Sequence, residues 1–122
     1  MVLTKPEWNV METLWDQSPL FLSQIKDRMK NLVDWKTSSY LTYLKLMTDK
    51  GYIGFETISG NRCYYPKIKR EDCVEFESRH ILAKLSSESS RLLLASMIQQ
   101  SELTQDDKNM LHGLIDRLDK EG

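Results

Sequence analysis

The sequence predicts a mostly α-helical protein that contains one small β-hairpin. Three observations lead to this fold class. Apolar residues recur at helical spacing in three segments before residue 51 and in three more after residue 69. Between the two groups lie two β-rich runs around a Ser-Gly-Asn turn sequence. With 122 residues, the chain forms one compact domain, or two small ones that need further contacts to be stable.

The first three helices are each marked by local signals. Thr4-Lys5-Pro6-Glu7 is a capping box with proline in the first turn, where its missing N–H is harmless. Thr37-Ser38-Ser39 can cap the third helix, and Gly51 follows its end. The apolar stripes of the three helices are Trp8, Met11, Leu14 and Trp15; Ile25, Met29, Leu32 and Val33; and Tyr40, Leu44 and Met47.

The middle of the chain changes to a β pattern. Residues 52–58 and 62–65 are rich in β-branched and aromatic residues, and Ser59-Gly60-Asn61 between them favours a turn. Helical patterns then return, and the last of them opens with the capping signal Thr104-Gln105-Asp106-Asp107. These later helices are predicted over about residues 70–85, 89–100 and 104–120.

Three helices followed by a hairpin is the element order of a winged helix-turn-helix. In this arrangement the third helix enters the major groove of DNA and the hairpin, or wing, reaches toward phosphates. The charge distribution agrees, because residues 1–70 hold 11 basic against 7 acidic side chains, whereas residues 71–122 hold 6 against 11. A basic front half indicates a polyanionic partner. The alternatives are a small α+β domain that only packs, and charge scatter in a short chain.

Composition excludes several classes of protein. The longest aliphatic run, Leu92 to Ala95, is far shorter than the roughly 20 residues of a membrane span. The N-terminus lacks the basic and apolar regions of a signal peptide, and two cysteines are too few to frame a secreted fold. We therefore expect a cytoplasmic protein with reduced thiols and no membrane association.

Several motifs together resemble the penicillinase-repressor family of bacterial transcription regulators, over nearly the whole chain. They are E-W-N-V-M-E-T-L-W at residues 7–15, W-K-T-S-S-Y-L-T-Y-L-K-L-M-T-D-K-G at residues 35–51, G-N-R-C-Y-Y-P at residues 60–66 and E-L-T-Q-D-D at residues 102–107. In the family these segments are the first helix, the recognition helix with its preceding tryptophan, the wing and the start of the last helix.

The resemblance implies a dimeric repressor that binds a palindromic operator of double-stranded DNA. Residues 1–70 would form the winged helix-turn-helix domain and residues 71–122 a dimerisation domain of three helices. Independently, a segment of about 50 residues cannot bury the apolar faces of three helices by itself. We therefore expect these faces to be buried against a second copy of the chain. The expected DNA-binding residues are Lys36, Thr37, Ser38, Ser39, Thr42, Tyr43, Lys45 and Arg62. The expected dimerisation residues are Val74, Ile81, Leu85, Leu94, Ile98, Leu111, Leu114, Ile115 and Leu118.

The chain departs from the family at three places. Leu46 replaces a basic residue of the recognition helix and Leu41 a commonly polar one, so these leucines either contact thymine methyl groups or belong to the core. The alternative function is a winged-helix protein-interaction module that has lost DNA binding. Ser96-Met97 stands where resistance repressors are cleaved at Asn-Phe, and the Cys-x-Cys cluster of the copper-responsive branch is absent from the sequence. The sequence therefore names neither inducer nor sensor.

The residue types needed for catalysis or metal binding are sparse. Cys63, Cys73, His80 and His112 are the soft ligands besides methionine. Cys73 and His80 share a helix face but lie about 10.5 Å apart in rise, too far for one ion. The sequence contains no HExxH motif, glycine-rich phosphate loop or Ser/His/Asp arrangement. We therefore expect no enzymatic activity, no cofactor and no metal.

Overall fold

A computed structural model describes the backbone of residues 2–121 and the side chains of residues 2–114 and 116. Within these residues it contains six helices and a small antiparallel sheet, which confirms the predicted fold class. The chain divides into two compact units, Met1–His80 and Ile81–Gly122. The elements in chain order are α1 (Lys5–Asp16), β1 (Leu20–Phe21), α2 (Leu22–Met29), α3 (Thr37–Asp49), β2 (Ile53–Ile58), β3 (Asn61–Pro66), α4 (Arg70–Leu82), α5 (Ser87–Gln100) and α6 (Gln105–Glu121).

The capping box of α1 is present as predicted. The Glu7 N–H donates to Thr4 Oγ1 at 3.4 Å, and the Thr4 N–H donates to Glu7 Oε1 at 2.9 Å. Pro6 lies in the first turn, where no intrahelical N–H is required. These bonds set the start of α1, which turns Val10, Met11 and Leu14 into the core.

The second helix is shorter than its apolar pattern predicts. The prediction that Leu32 and Val33 continue this helix is wrong, because α2 ends at Met29. The N–H groups of Leu32 and Val33 both donate to the Met29 carbonyl, at 2.9 and 3.1 Å, and this turn redirects the chain toward α3. As a result Val33 packs against the core while Leu32 is exposed.

The sheet has three strands in the order β1-β3-β2, all antiparallel. The predicted hairpin of β2 and β3 turns through Ser59 and Gly60, whose φ angles are 53° and 81°. Positive φ at both central residues is typical of the type I′ turn that matches the twist of a hairpin. The additional strand β1 pairs Leu20 with Tyr64 and Phe21 with Cys63, so the wing is fixed to the start of α2.

The first unit has one continuous hydrophobic core beneath α1, α2, α3 and the sheet. Its buried residues are Leu3, Val10, Met11, Leu14, Leu20, Ile25, Met29, Tyr40, Leu44, Met47, Ile53, Tyr64 and Cys73. Each helix contributes residues at spacings of three or four, as expected for one face of an amphipathic helix. The opposite face of α3 therefore remains exposed to solvent.

The segment that follows the wing is attached to α1. Trp15 Nε1 donates to the Ile68 carbonyl at 2.9 Å, and Arg70 Nη2 lies 3.2 Å from Glu12 Oε2. Cys73, in the first turn of α4, is 1% exposed and belongs to the core of the first unit. The first compact unit therefore extends beyond residue 70 into α4.

The second unit contains two helices that begin at hydroxyl caps. Ser86 Oγ accepts the Ser89 N–H at 3.1 Å, and Thr104 Oγ1 accepts the Asp107 N–H at 3.1 Å. The Ser86 cap starts α5 at Ser87, and α4 ends earlier than predicted, at Leu82. None of the helices in the described part of the chain combines the length and apolar character of a membrane span.

Candidate nucleic-acid interface

One face of α3 carries polar side chains that are free of the core. Tyr40, Leu44 and Met47 are buried, as predicted. By helical periodicity, the face of α3 opposite these residues presents a line of exposed side chains, which we name the polar strip. The polar strip consists of Ser38, Thr42, Lys45 and Asp49.

Hydrogen bonds hold the polar strip and the start of α3 in place. Thr42 Oγ1 donates to the Ser38 carbonyl at 2.9 Å, which leaves the hydroxyl oxygen able to accept a bond. Lys45 Nζ lies 3.0 Å from Asp49 Oδ2 in an exposed ion pair. Lys26 of α2 donates to Thr37 Oγ1 at 2.7 Å and so connects the two helices of the helix-turn-helix.

Trp35 orders the turn that precedes α3. Its ring stacks on Tyr43 with a centroid distance of 4.7 Å and an interplanar angle of 20°. It also meets Tyr40 edge-on at 5.1 Å. Tyr43 is therefore half-buried against Trp35, whereas the side chains of the polar strip are exposed to solvent. Ser39 is half-buried as well, and Lys36 is exposed at the position before α3.

The wing places Arg62 close to α3. Arg62 lies opposite Thr57 on the hairpin, and its guanidinium carbon is 4.2 Å from the centroid of the Phe55 ring. Stacking on a ring face leaves the N–H groups at the edge of the guanidinium available to an acceptor such as a phosphate. An open groove of about 440 Å³ separates wing and helix, and its lining includes Leu41, Lys45, Phe55 and Arg62.

Leu41 and Leu46, for which the sequence left a core and a surface position as alternatives, both lie at the surface. Leu41 is 49% exposed and Leu46 is 48% exposed, so the core alternative is wrong for both. By helical periodicity they lie on opposite flanks of the polar strip, with Leu41 on the side of the wing. The core is already filled by Tyr40, Leu44 and Met47, which explains their position.

An ion pair that the sequence did not predict holds the end of α3. Lys50, which follows α3, places Nζ 2.8 Å from Glu7 Oε2. Burial alone would raise the pKa of the Glu7 carboxyl, but the hydrogen bonds from Lys50 and Thr4 outweigh it and lower that pKa. The same bond raises the pKa of Lys50. The capping box fully explained Glu7 at the sequence level, and no local signal pointed to Lys50.

The soft metal ligands are not brought together. Within the described residues, no group of three or more His, Cys, Asp or Glu side chains could hold a metal ion. Cys63 in β3 and Cys73 in α4 are both buried free thiols. Burial, followed by the neighbouring Asp72 carboxylate, raises the pKa of the Cys73 thiol, which keeps it protonated.

The proposed dimerisation residues occupy mixed environments in the single chain. Ile98 is buried, and Ile81 and Leu111 are half-buried. The side chains of Ile115 and Leu118 lie outside the described residues. The remaining ones, together with other apolar side chains between residues 74 and 114, are exposed: Val74, Phe76, Leu82, Leu85, Leu92, Leu94, Met97, Leu103, Met110 and Leu114.

Comparisons with known proteins cover both units. The model of a protein family described as penicillinase repressor matches residues 3–117. The chain is also similar to an uncharacterized 16.5 kDa protein in the ptsI 3′ region of Latilactobacillus sakei, with 23% identity over 113 residues. That alignment covers 93% of this chain and 77% of the relative.

Proposed function

Because the chain belongs to the penicillinase repressor family, whose members are transcriptional repressors rather than enzymes, we propose that it binds a palindromic DNA operator as a homodimer. The winged helix-turn-helix of residues 1–70 contacts DNA, and residues 71–122 hold two copies together. Repression follows when the dimer occupies a promoter. The protein performs this role in the bacterial cytoplasm, where the DNA lies.

The exposed polar strip of α3 beside Arg62 is the observation that carries the proposal. A helix 13 residues long presents two hydroxyls and the Lys45–Asp49 ion pair on the face opposite its core, and the wing adds a guanidinium across an open groove. The major groove of B-DNA accommodates one α-helix and displays acceptors and donors at its base edges. The strip is a single helix face of the kind that fits this groove, and Arg62 of the wing adds a positive charge beside it.

Each side chain has a distinct role in this proposal. Lys36, Lys45 and Arg62 contact phosphates, which fixes the register of the protein on the duplex. Ser38 and Thr42 face base edges, because they lie on the outermost line of the first turns of α3, where recognition helices read bases. Three further residues, Thr37, Ser39 and Tyr43, lie outside this line and contact phosphates through their hydroxyl groups in this proposal.

The exposed apolar side chains of residues 71–122 support the homodimer. A second copy that contacts Leu85, Leu94 and Leu114 removes side chains from water that are 36%, 40% and 40% exposed in one chain. Since each of these leucines is already more than half covered in one chain, removing the rest from water contributes about 1 kcal/mol per side chain. The other exposed apolar side chains of residues 71–122 add to this contact and offset the cost of association. The acidic balance of residues 71–122 disfavours DNA as the partner of this surface.

A titration of the full chain with DNA tests the proposal. The probes are the DNA upstream of its own gene and a random duplex of equal length, each at several salt concentrations. We expect the upstream DNA to bind about 1,000-fold more tightly or better, with half-sites about 10 base pairs apart or a multiple of it. Equal weak binding to both probes, or a folded monomer in sedimentation at micromolar concentration, would contradict the proposal.

A protein-interaction module without DNA binding is the second candidate. The exposed Leu41 and Leu46 favour it, because apolar side chains interrupt the polar surface on both flanks of the strip. This function requires that neither probe binds, even at low salt. The same titration therefore separates the two candidates.

A further inference from the structure

Leu41 lies on the surface of α3 between the polar strip and the wing. It is the fifth residue of the helix, directly before Thr42, and it is 49% exposed. It lines the open groove together with Lys45, Phe55 and Arg62. An apolar side chain therefore stands in the middle of the surface to which the proposed function assigns DNA.

We infer that Leu41 determines operator specificity by contacting the C5-methyl group of a thymine in each half-site. The inference rests on the proposed function. The base edges in the major groove present hydrogen-bond donors and acceptors, and thymine adds one methyl group. Leucine neither donates nor accepts hydrogen bonds, so this methyl group is the feature of the groove that complements it.

The surroundings of Leu41 favour DNA over an apolar protein segment as the occupant. Its neighbours in the groove include two cations, Lys45 and Arg62, and one carboxylate, Asp49, which lies 3.0 Å from Lys45 Nζ. The charged side chains that line the groove therefore keep a positive balance, and Lys36 is exposed before the same helix. Residues 1–70 carry 11 basic against 7 acidic side chains. A polyanion that also offers an isolated methyl group satisfies both the cations and the leucine.

The position along α3 distinguishes Leu41 from Leu46. Recognition helices contact bases chiefly with their N-terminal turns. Leu41 lies in the second turn and faces the groove beside the wing, whereas Leu46 lies more than one turn nearer to the helix end, on the opposite flank. Since both leucines are almost equally exposed, Leu46 serves as a matched control.

The experiment removes the methyl group from the DNA and the side chain from the protein. The parent protein first selects a fragment from a pool of random duplexes. That fragment is then prepared with thymine or with deoxyuridine, which pairs identically but lacks the methyl group. The parent, Leu41→Ala and Leu46→Ala are titrated with both copies. Alanine has the highest helix propensity and both sites are exposed, so the variants keep their fold, which circular dichroism verifies.

We expect the loss of the thymine methyl group to weaken DNA binding only in the proteins that retain Leu41. The parent binds the deoxyuridine copy about fourfold more weakly per contacted methyl group, which is the value of one buried methylene. Leu41→Ala binds both copies equally, and Leu46→Ala discriminates between them as the parent does. Equal binding of both copies by the parent, or the same discrimination in Leu41→Ala, overturns the inference and leaves the repressor proposal intact. A pool without any enriched sequence overturns both.

Discussion

Glu7 of α1 and Lys50 at the end of α3 form an ion pair, with 2.8 Å between Oε2 and Nζ. The Glu7 side chain is 4% exposed, and its other oxygen accepts bonds from the N–H and hydroxyl of Thr4, at 2.9 and 3.0 Å. The Glu7 carboxylate therefore caps α1 and also binds Lys50, the residue that follows α3. The contact therefore links the start of α1 to the end of α3.

Replacing the Glu7 carboxylate tests this contact. Glu7→Gln is expected to lower the free energy of unfolding by about 1–2 kcal/mol at pH 7, because charged hydrogen bonds become neutral ones. Thermal and urea unfolding at pH 7 measure the change. Glu12→Gln is the matched control on the same helix, since its ion pair with Arg70 is half-exposed and contributes less than about 1 kcal/mol.

The lowered pKa of Glu7 also predicts how the free energy of unfolding depends on pH. The pKa of Glu7 is lower in the folded chain than its ordinary value of 4.5, so its contribution is complete above pH 4.5 and disappears as the pH falls through the lowered folded value. The stability of the parent should therefore decline more steeply with acidification below pH 4.5 than that of Glu7→Gln. Parallel stability curves for the two proteins would contradict the assignment.

The turn of the wing offers a stabilising substitution. Ser59 has a φ of 53° without being glycine, and asparagine tolerates this conformation better. Ser59→Asn should raise the free energy of unfolding by about 0.5 kcal/mol. Gly60→Ala should lower it by about 1 kcal/mol, since φ is 81° there. A Cβ at Gly60 would meet no described heavy atom within 4 Å, so backbone strain alone sets the cost. Thermal unfolding of the three proteins checks both signs.

Arg62 is expected to act through phosphates. Arg62→Ala should weaken binding to operator and random DNA by the same factor, because phosphate contacts carry no sequence information. The slope of log K against log salt should decrease by about one unit for each phosphate that the variant no longer neutralises. Arg79→Ala on α4 is the control, since Arg79 is an exposed arginine paired with Glu75. Weaker binding to the operator alone would make Arg62 a base-reading residue instead.

Thr42 is expected to read bases. Thr42→Ala should cost about 1 kcal/mol more on operator than on random DNA. Thr48→Ala is a close control, because both hydroxyls donate to a carbonyl one turn earlier, at 2.9 Å for Thr42 and 2.7 Å for Thr48. Thr48 lines the groove beside the wing but lies in the last turn of α3, away from the N-terminal turns proposed to read bases. The control therefore removes the same kind of intrahelical bond without removing a proposed base contact. If both variants bind more weakly by the same factor, the effect reflects the helix and not base contact.

Leu114 of α6 tests the dimer. Leu114→Glu should convert dimers to monomers or unfolded protein, because a lone charge buried in an apolar contact costs several kcal/mol. His112→Glu introduces the same charge two residues earlier, on the opposite face of α6, and should leave the dimer intact. Sedimentation velocity at micromolar concentration distinguishes the two. Dimers that survive in Leu114→Glu would place the interface elsewhere.

Local signals in the sequence were sufficient for most elements of the fold. The capping box of Thr4 and Glu7, the buried spacing of Tyr40, Leu44 and Met47, and the turn at Gly60 were all confirmed. Each depends on residues within one or two turns of each other, so the pattern contains the whole physical cause. The family resemblance likewise depends on contiguous motifs, and the family match confirmed it.

Tertiary structure alone decided how these elements meet. A strand of two residues has no period, so only its pairing with β3 defines β1. The Glu7–Lys50 ion pair joins residues 43 positions apart, and the exposure of Leu41 depends on three other residues filling the core beneath α3. Such contacts form because packing brings distant side chains together, and no local pattern records which ones will meet. The surface proposed to read DNA is what remains of α3 after that packing is complete.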